Sequence, residues 1–145
     1  ASLIPAATSA IRSTGKAQFM DGPVLEQLAD LESAYASNGQ KVFSREFFES
    51  LTPHEWALWF MDDGSCAIDR SKRKTYKTQD GSPRITACVR AMSPETREAL
   101  RDVLIAKFGG DVRLNKRQVL SFSKEASINF LNHVAVGVHP SMDYK

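Results

Sequence analysis

A chain of 145 residues with 42% hydrophobic side chains is the size of one domain and can bury its own core. It holds no run of about 18 apolar residues, which excludes a long apolar membrane-spanning helix, and no membrane partner is expected. The net charge is only +2, but residues 1–62 carry four basic and eight acidic side chains, whereas residues 63–145 carry fifteen and nine. Cys66 and Cys88 form no CxxC or Cys/His ligand spacing, so a reduced, intracellular protein is expected. An organelle and a bacterial or phage cytoplasm stay equally open.

The first twenty residues carry Arg12 and Lys16, no acid until Asp21, and many Ser, Thr and Ala. They read as a linker or the end of a longer chain rather than a transit peptide. "DGPVLEQLADLESAYA" then predicts a helix, with Pro23 in the first turn and Val24, Leu25, Leu28, Leu31 and Tyr35 at near-helical spacing. Residues 1–40 are therefore expected to be an N-terminal helical extension or linker, broken by "SNGQ", and residues 41–145 a single domain. Ser44 can cap a short helix through Phe47, Phe48 and Leu51. "LTPHEW" places Thr52 at an N-cap, Pro53 at the first helical position and Glu55 two further on, close to a capping box. That helix runs to Asp63, and Gly64 is expected to stop it.

After Gly64 the period becomes two. "SCAID" reads as a short strand, and "RSKRKTYKTQDGSP" as a basic hairpin or loop turning at Asp80-Gly81. "RITACVRA" alternates, with Ile85, Ala87 and Val89 on one face and Arg84, Thr86, Cys88 and Arg90 on the other. "SPETREALRDVLIAKFGG" is a helix capped by Ser93 and closed by Gly109-Gly110. "DVRLN" and "QVLSF" make a second hairpin, with Val112 and Leu114 inward and Arg113 and Asn115 outward. Ser123 caps a last helix through about His133. The fold class expected is α+β, in the order αββαββα, with four strands in one antiparallel sheet. No internal repeat or low-complexity segment is legible.

Charge sharpens this picture. Residues 70–90 hold seven basic side chains (Arg70, Lys72, Arg73, Lys74, Lys77, Arg84 and Arg90) against Asp80 alone. Such a run repels itself unless a polyanion offsets it. The outward positions Thr86, Arg113, Asn115, Lys116, Arg117 and Gln118 add side chains that hydrogen-bond bases or phosphates. A two-stranded ribbon carrying them fits the major groove of B-DNA. The histidines His54, His133 and His139 have no partners at metal-ligand spacing and read as surface or interface residues.

The stretch "WALWFMDDGS" resembles the LAGLIDADG motif of homing endonucleases, in its "WFMDDG" form. The "LTP" before it, the element order after it and the closing "HPSMDYK" are similar to the same family, over roughly residues 41–145. The resemblance implies a LAGLIDADG endonuclease-like αββαββα half with a four-stranded antiparallel saddle sheet. It implies a site-specific, metal-dependent enzyme that hydrolyses phosphodiester bonds of double-stranded DNA. It makes Asp63 the metal-binding acid, with Asp62 assisting, and it carries the family's tail lysine onto Lys145. Lys41 resembles the end of a preceding half, and Gln79 and Arg84 are weaker candidates beside the site. Ala57 and Phe60 are expected near the contact with a second motif helix.

The residue chemistry agrees with the resemblance. Two carboxylates at a helix C-terminus oppose the helix dipole, so a cation is expected to offset them. A hard divalent ion with oxygen ligands suits them, and Mg²⁺ is the natural candidate. Only one motif is present, because the "FMDG" of "AQFMDGP" lacks a preceding apolar helix. The second acid must then come from a homodimer partner or from the other half of a longer or split enzyme. An RNA-binding maturase that assists intron splicing without cutting DNA is the alternative function. An entire intein is not expected, although the endonuclease piece of one is compatible with the sequence.

Overall fold

The computed structural model describes residues 10–14, 17–21, 30, 33–68 and 81–142. The chain divides into two compact units, Ala1–Ala36 and Ser37–Lys145. Within the expected N-terminal helix, Asp30 and residues 33–35 are helical; residues 22–29, 31 and 32 lie outside the described residues. Ahead of it stands a hairpin instead of a linker: β1 (Ala10–Thr14) pairs antiparallel with β2 (Ala17–Asp21). The "FMD" of "FMDG" thus sits in a strand, and no second motif helix arises there.

Two-residue strands β3 (Ala36–Ser37) and β4 (Gln40–Lys41) follow, joined by Asn38 and Gly39 at φ 51° and 73°. Left-handed φ at both turn positions is what Asn-Gly supplies at least cost. The second unit then runs α1 (Arg45–Glu49), α2 (Pro53–Asp63), β5 (Gly64–Ile68), β6 (Pro83–Cys88), α3 (Pro94–Phe108), β7 (Val112–Leu114), β8 (Val119–Phe122) and α4 (Lys124–Val134). From α2 onward this is the expected αββαββα order.

All four α-helices of the second unit start on a hydroxyl cap, as the sequence predicted. Ser44, Thr52, Ser93 and Ser123 accept from Phe47, Glu55, Thr96 and Ala126 N–H, at 3.2, 3.3, 3.2 and 3.3 Å. At α2 the box is complete, because Thr52 N–H donates back to Glu55 Oε2 at 2.6 Å. That backbone hydrogen bond holds the Glu55 carboxyl below its ordinary pKa.

The sheet order is β5-β6-β8-β7, antiparallel throughout. Its inner face is buried at Ile85, Ala87, Val112, Leu120 and Phe122, which the helices cover. Phe130 of α4 lies at the centre, fully buried, with ring centroids 5.1–6.3 Å from Phe108, Phe122, Phe60, Trp59 and Trp56. Edge-on ring pairs of this kind add to simple area burial. After α4 the chain turns back along α2. A side chain at Gly137 would put a Cβ 2.8 Å from Ala57 Cβ and 2.9 Å from His54 Cα, so this close approach requires glycine.

Phe130→Ala should cost about 3–5 kcal/mol of unfolding free energy, because the cavity it leaves is walled by rigid rings. Urea unfolding checks this, and a loss below about 1 kcal/mol contradicts the central placement.

Candidate nucleic-acid interface and metal site

Helix α2 carries Asp62 and Asp63 in its last turn, with no basic residue there to offset them. Asp62 is exposed and Asp63 half-buried. Two carboxylates here cost about 0.3–1 kcal/mol each against the helix dipole. Gly64 ends the helix as expected, and does so as an extended residue with φ −92° and ψ 160°. A Cβ at Gly64 would overlap the Phe60 ring and lie 2.6 Å from Phe60 O. Glycine is therefore required by close packing, and β5 begins at the residue after Asp63. No loop intervenes, so the acid is held at the junction between the buried helix and the sheet.

Lys41 is drawn to the same place. Its N–H donates to Ala91 O at 2.7 Å, and its carbonyl accepts from Ser93 N–H at 2.9 Å. Lys41, Asp62 and Asp63 line one groove of about 360 Å³, walled by aromatic residues including Phe43, Phe47 and Trp59. Along α2, Glu55, Leu58 and Asp62 form an exposed stripe at helical spacing, with Leu58 62% exposed. Ala57 and Phe60, expected at a helix–helix contact, are instead consumed within the chain's own core at 0% and 2% exposure. Ala57 meets Gly137 and Phe60 meets Phe130, which turns Leu58 outward.

The donor set suits a hard dication in kind but not in number. Asp62 and Asp63 offer carboxylate oxygens, the ligands Mg²⁺ takes. Among the described residues, no group of three or more His, Cys, Asp or Glu is gathered that could hold a metal. Cys66 does not help: burial pushes its thiol above the ordinary cysteine range, leaving it a poor thiolate ligand.

The outer face of the sheet is polar. Register sets Ser65 beside Thr86, Thr86 beside Ser121, and Ser121 beside Arg113, one row across four strands. Ser65, Thr86 and Arg113 are exposed and Ser121 is half-buried. Arg84 is half-buried, and Arg90 is exposed beyond the end of β6. Arg84, Arg113 and Ser121 line a shallow basin with Asp111, whose Oδ2 lies 2.6 Å from Arg113 Nε. Ser65 and Ser121 were not singled out from the sequence, although the alternation of "VLSF" already places Ser121 on this face.

Two expected readers of bases are otherwise engaged. Asn115 Oδ1 accepts from Arg117 N–H at 2.8 Å and Val119 N–H at 3.1 Å, so its side chain closes the β7–β8 turn. Gln118 has φ 61°, and its Oε1 accepts from Arg97 at 3.0 Å. Arg97, only 9% exposed, also donates to Val89 O and Arg90 O at 3.1 Å each. Its spacing to Leu100 and Leu104, on the apolar stripe of α3, was the available sign of this burial. Lys116 and Arg117 remain exposed at the tip of the turn. Arg70, Lys72, Arg73, Lys74, Lys77, Gln79 and Lys145 lie outside the described residues.

Comparison with known proteins now bears on this arrangement. The sequence pattern of the LAGLIDADG DNA endonuclease family matches residues 7–130, well upstream of residue 41, where the resemblance was expected to begin. A protein named RecA from Mycolicibacterium fallax is 43% identical over 134 residues, covering 89% of this chain and 32% of that protein. RecA from Mycobacterium leprae (strain TN) is 43% identical over 135 residues, covering 89% of this chain and 19% of that protein. The chain thus spans a third or less of the length of these curated relatives. The homing endonuclease I-WcaI, bound to its DNA recognition sequence, shares the fold with a TM-score of 0.62 at 20% identity, over 96% of this chain and 62% of that one.

Asn115→Ala should lower unfolding free energy by about 1–2 kcal/mol, because two turn N–H groups lose their acceptor. Arg117→Ala, at the exposed tip, should change it by less than about 0.5 kcal/mol. Thermal unfolding of both variants checks the contrast.

Proposed function

The chain belongs to the LAGLIDADG DNA endonuclease family, and from that premise we propose that it is one half of a site-specific, divalent-metal-dependent double-strand DNA endonuclease. One observation carries the reading: α2 ends on Asp63, and the next residue opens the strand whose outer side chains begin the polar row. An acid is thereby set at the margin of a face suited to a duplex. Three strand spacings of about 4.8 Å make that row roughly 14 Å wide, comparable to a major groove of about 12 Å. Thr86, Ser121 and Arg113 read base edges from it, while Arg84, Arg90, Lys116, Arg117 and the basic run at 70–77 hold phosphates and set register.

Hydrolysis needs an activated water and offset of the charge that builds on the phosphate oxygens. A bound divalent ion supplies both. Asp63 would hold such an ion, with Asp62 beside it, and the second acid would come from the other half. Lys41 sits in the same groove, where its ammonium stabilises developing charge; the family resemblance gives Lys145 the same role. The exposed stripe Glu55–Leu58–Asp62 is the surface on which the second motif helix packs. The mycobacterial relatives support a setting. An endonuclease-family segment that makes up a third or less of proteins named RecA fits a piece carried inside a host protein, as in an intein.

Asp63→Asn should abolish cleavage, by about a thousandfold or more, while duplex affinity changes little, because binding rests on the sheet and on phosphate contacts. A gel-based cleavage assay beside a binding titration checks it; undiminished cutting by the variant removes Asp63 from the chemistry. Selective binding of structured RNA, with no duplex cut by the wild type, moves the reading to the maturase. Leu58→Glu should leave the unfolding midpoint near the wild-type value yet block association with the second half, as read by sedimentation.

A further inference from the structure

We infer that Arg97, which lies beneath the sheet, is a positioning residue that sets the selectivity of duplex recognition. It holds the turn carrying Lys116 and Arg117 against the turn carrying Arg90, so that these basic side chains meet phosphates in one fixed arrangement. The role rests on the duplex-binding reading above and adds to it the residue that fixes the geometry of the contacts.

Arg97 stands where a cation is costly. It is one turn into α3, and a helix N-terminus disfavours positive charge. It is only 9% exposed, and among the described residues no carboxylate forms an ion pair with it. A buried cation of this kind is held only if its N–H groups are taken up. Neutral acceptors do so: Nε donates to Val89 O at 3.1 Å, Nη2 to Arg90 O at 3.1 Å and Nη1 to Gln118 Oε1 at 3.0 Å. A planar guanidinium fork reaches acceptors on two separate segments, whereas a lysine ammonium is a single point on a flexible stem. A leucine or methionine would continue the apolar stripe of Leu100 and Leu104 without the charge. What the guanidinium adds is the link between two turns.

Each of those turns is closed on itself. Met92 N–H donates to Val89 O at 3.1 Å, and Gln118 N–H donates to Asn115 O at 3.0 Å. The turn at 89–92 is also anchored from its other side, where Ala91 O accepts from Lys41 N–H at 2.7 Å and Ser93 N–H donates to Lys41 O at 2.9 Å. The turn at 115–118 ends a hairpin, and it is joined to that anchored frame by Val89 N–H to Gln118 O at 3.0 Å and by the Arg97 fork. Gln118 has φ 61°, a left-handed backbone that glycine adopts with less strain. Glutamine supplies there what glycine lacks, the acceptor for Arg97.

Lys116 and Arg117 are exposed in the middle of one turn and Arg90 in the middle of the other. Locked together, they offer positive charge at a set spacing. Preorganised contacts favour the duplex whose backbone path matches them, whereas loose ones meet any phosphate backbone nearly as well. Arg97 therefore governs the preference for one duplex over another more than the total affinity for DNA.

The test uses the whole chain, a duplex enriched from a randomised pool by the wild type, and a scrambled duplex of the same length and composition. The variants are Arg97→Lys, which keeps the charge; Gln118→Gly, which keeps the left-handed turn and removes the acceptor; and the two combined. Each single variant should bind the enriched duplex about tenfold more weakly, and the scrambled duplex within about twofold of the wild type. Gln118→Gly should melt within about 3 °C of the wild type, so its loss of preference is not loss of fold. The combined variant should bind little worse than Arg97→Lys alone, because both changes break one link. Equal losses on the two duplexes, undiminished binding of the enriched duplex by Gln118→Gly, or losses that multiply in the combined variant overturn the role of Arg97. A wild type that does not distinguish the two duplexes overturns the recognition reading itself, and this role with it.

Discussion

Everything at the candidate site depends on a helix that ends on a carboxylate and has no room to continue as anything but a strand. Phe60 lies over Gly64 so closely that a single added carbon would overlap its ring. That contact forbids a side chain, removes the loop and joins α2 to β5 at one peptide bond. Asp63 therefore inherits the rigidity of the core on one side and the register of the sheet on the other. A carboxylate at this end of a helix is slightly unfavourable, and the last turn of α2 holds no basic residue.

The aromatic core explains which face of α2 is left over. Phe130 gathers five rings, among them Trp56, Trp59 and Phe60, and Gly137 brings the returning chain against Ala57. With Trp56, Ala57 and Phe60 buried, helical geometry leaves Glu55, Leu58 and Asp62 outward. The exposed Leu58 stands beside an aromatic-walled groove that Lys41 and the two acids also line. The small residue of the motif packs against the chain's own tail, and the larger one faces out.

On the sheet, turn chemistry and recognition divide the same short segment between them. Asn115 and Gln118 are committed to closing the β7–β8 turn, the first by accepting two backbone N–H groups and the second by accepting from the buried Arg97. Lys116 and Arg117, held between them, are left exposed. Arg97 thus acts from beneath the sheet, tying the end of β6 to the turn that carries these bases. A polar residue on the outward side of an alternating strand is free to read a duplex only if the backbone has not already claimed it.

Sequence by itself determined the local elements, since caps, period and turn residues act over a few positions. Ser44, Thr52, Ser93 and Ser123 cap where expected, Ile85, Ala87 and Val89 face inward, and the order from α2 to α4 is the one the periodicity implied. The motif likewise marked Asp62 and Asp63. Only the tertiary structure decided what depends on contacts between distant residues. It buried Arg97, turned Leu58 outward in place of Ala57, and made Gly64 a packing requirement. It also paired residues 10–14 with residues 17–21 as antiparallel strands. Those outcomes were illegible in the chain because a residue's surroundings are chosen by partners tens of positions away, whereas its period and its cap are chosen by its neighbours.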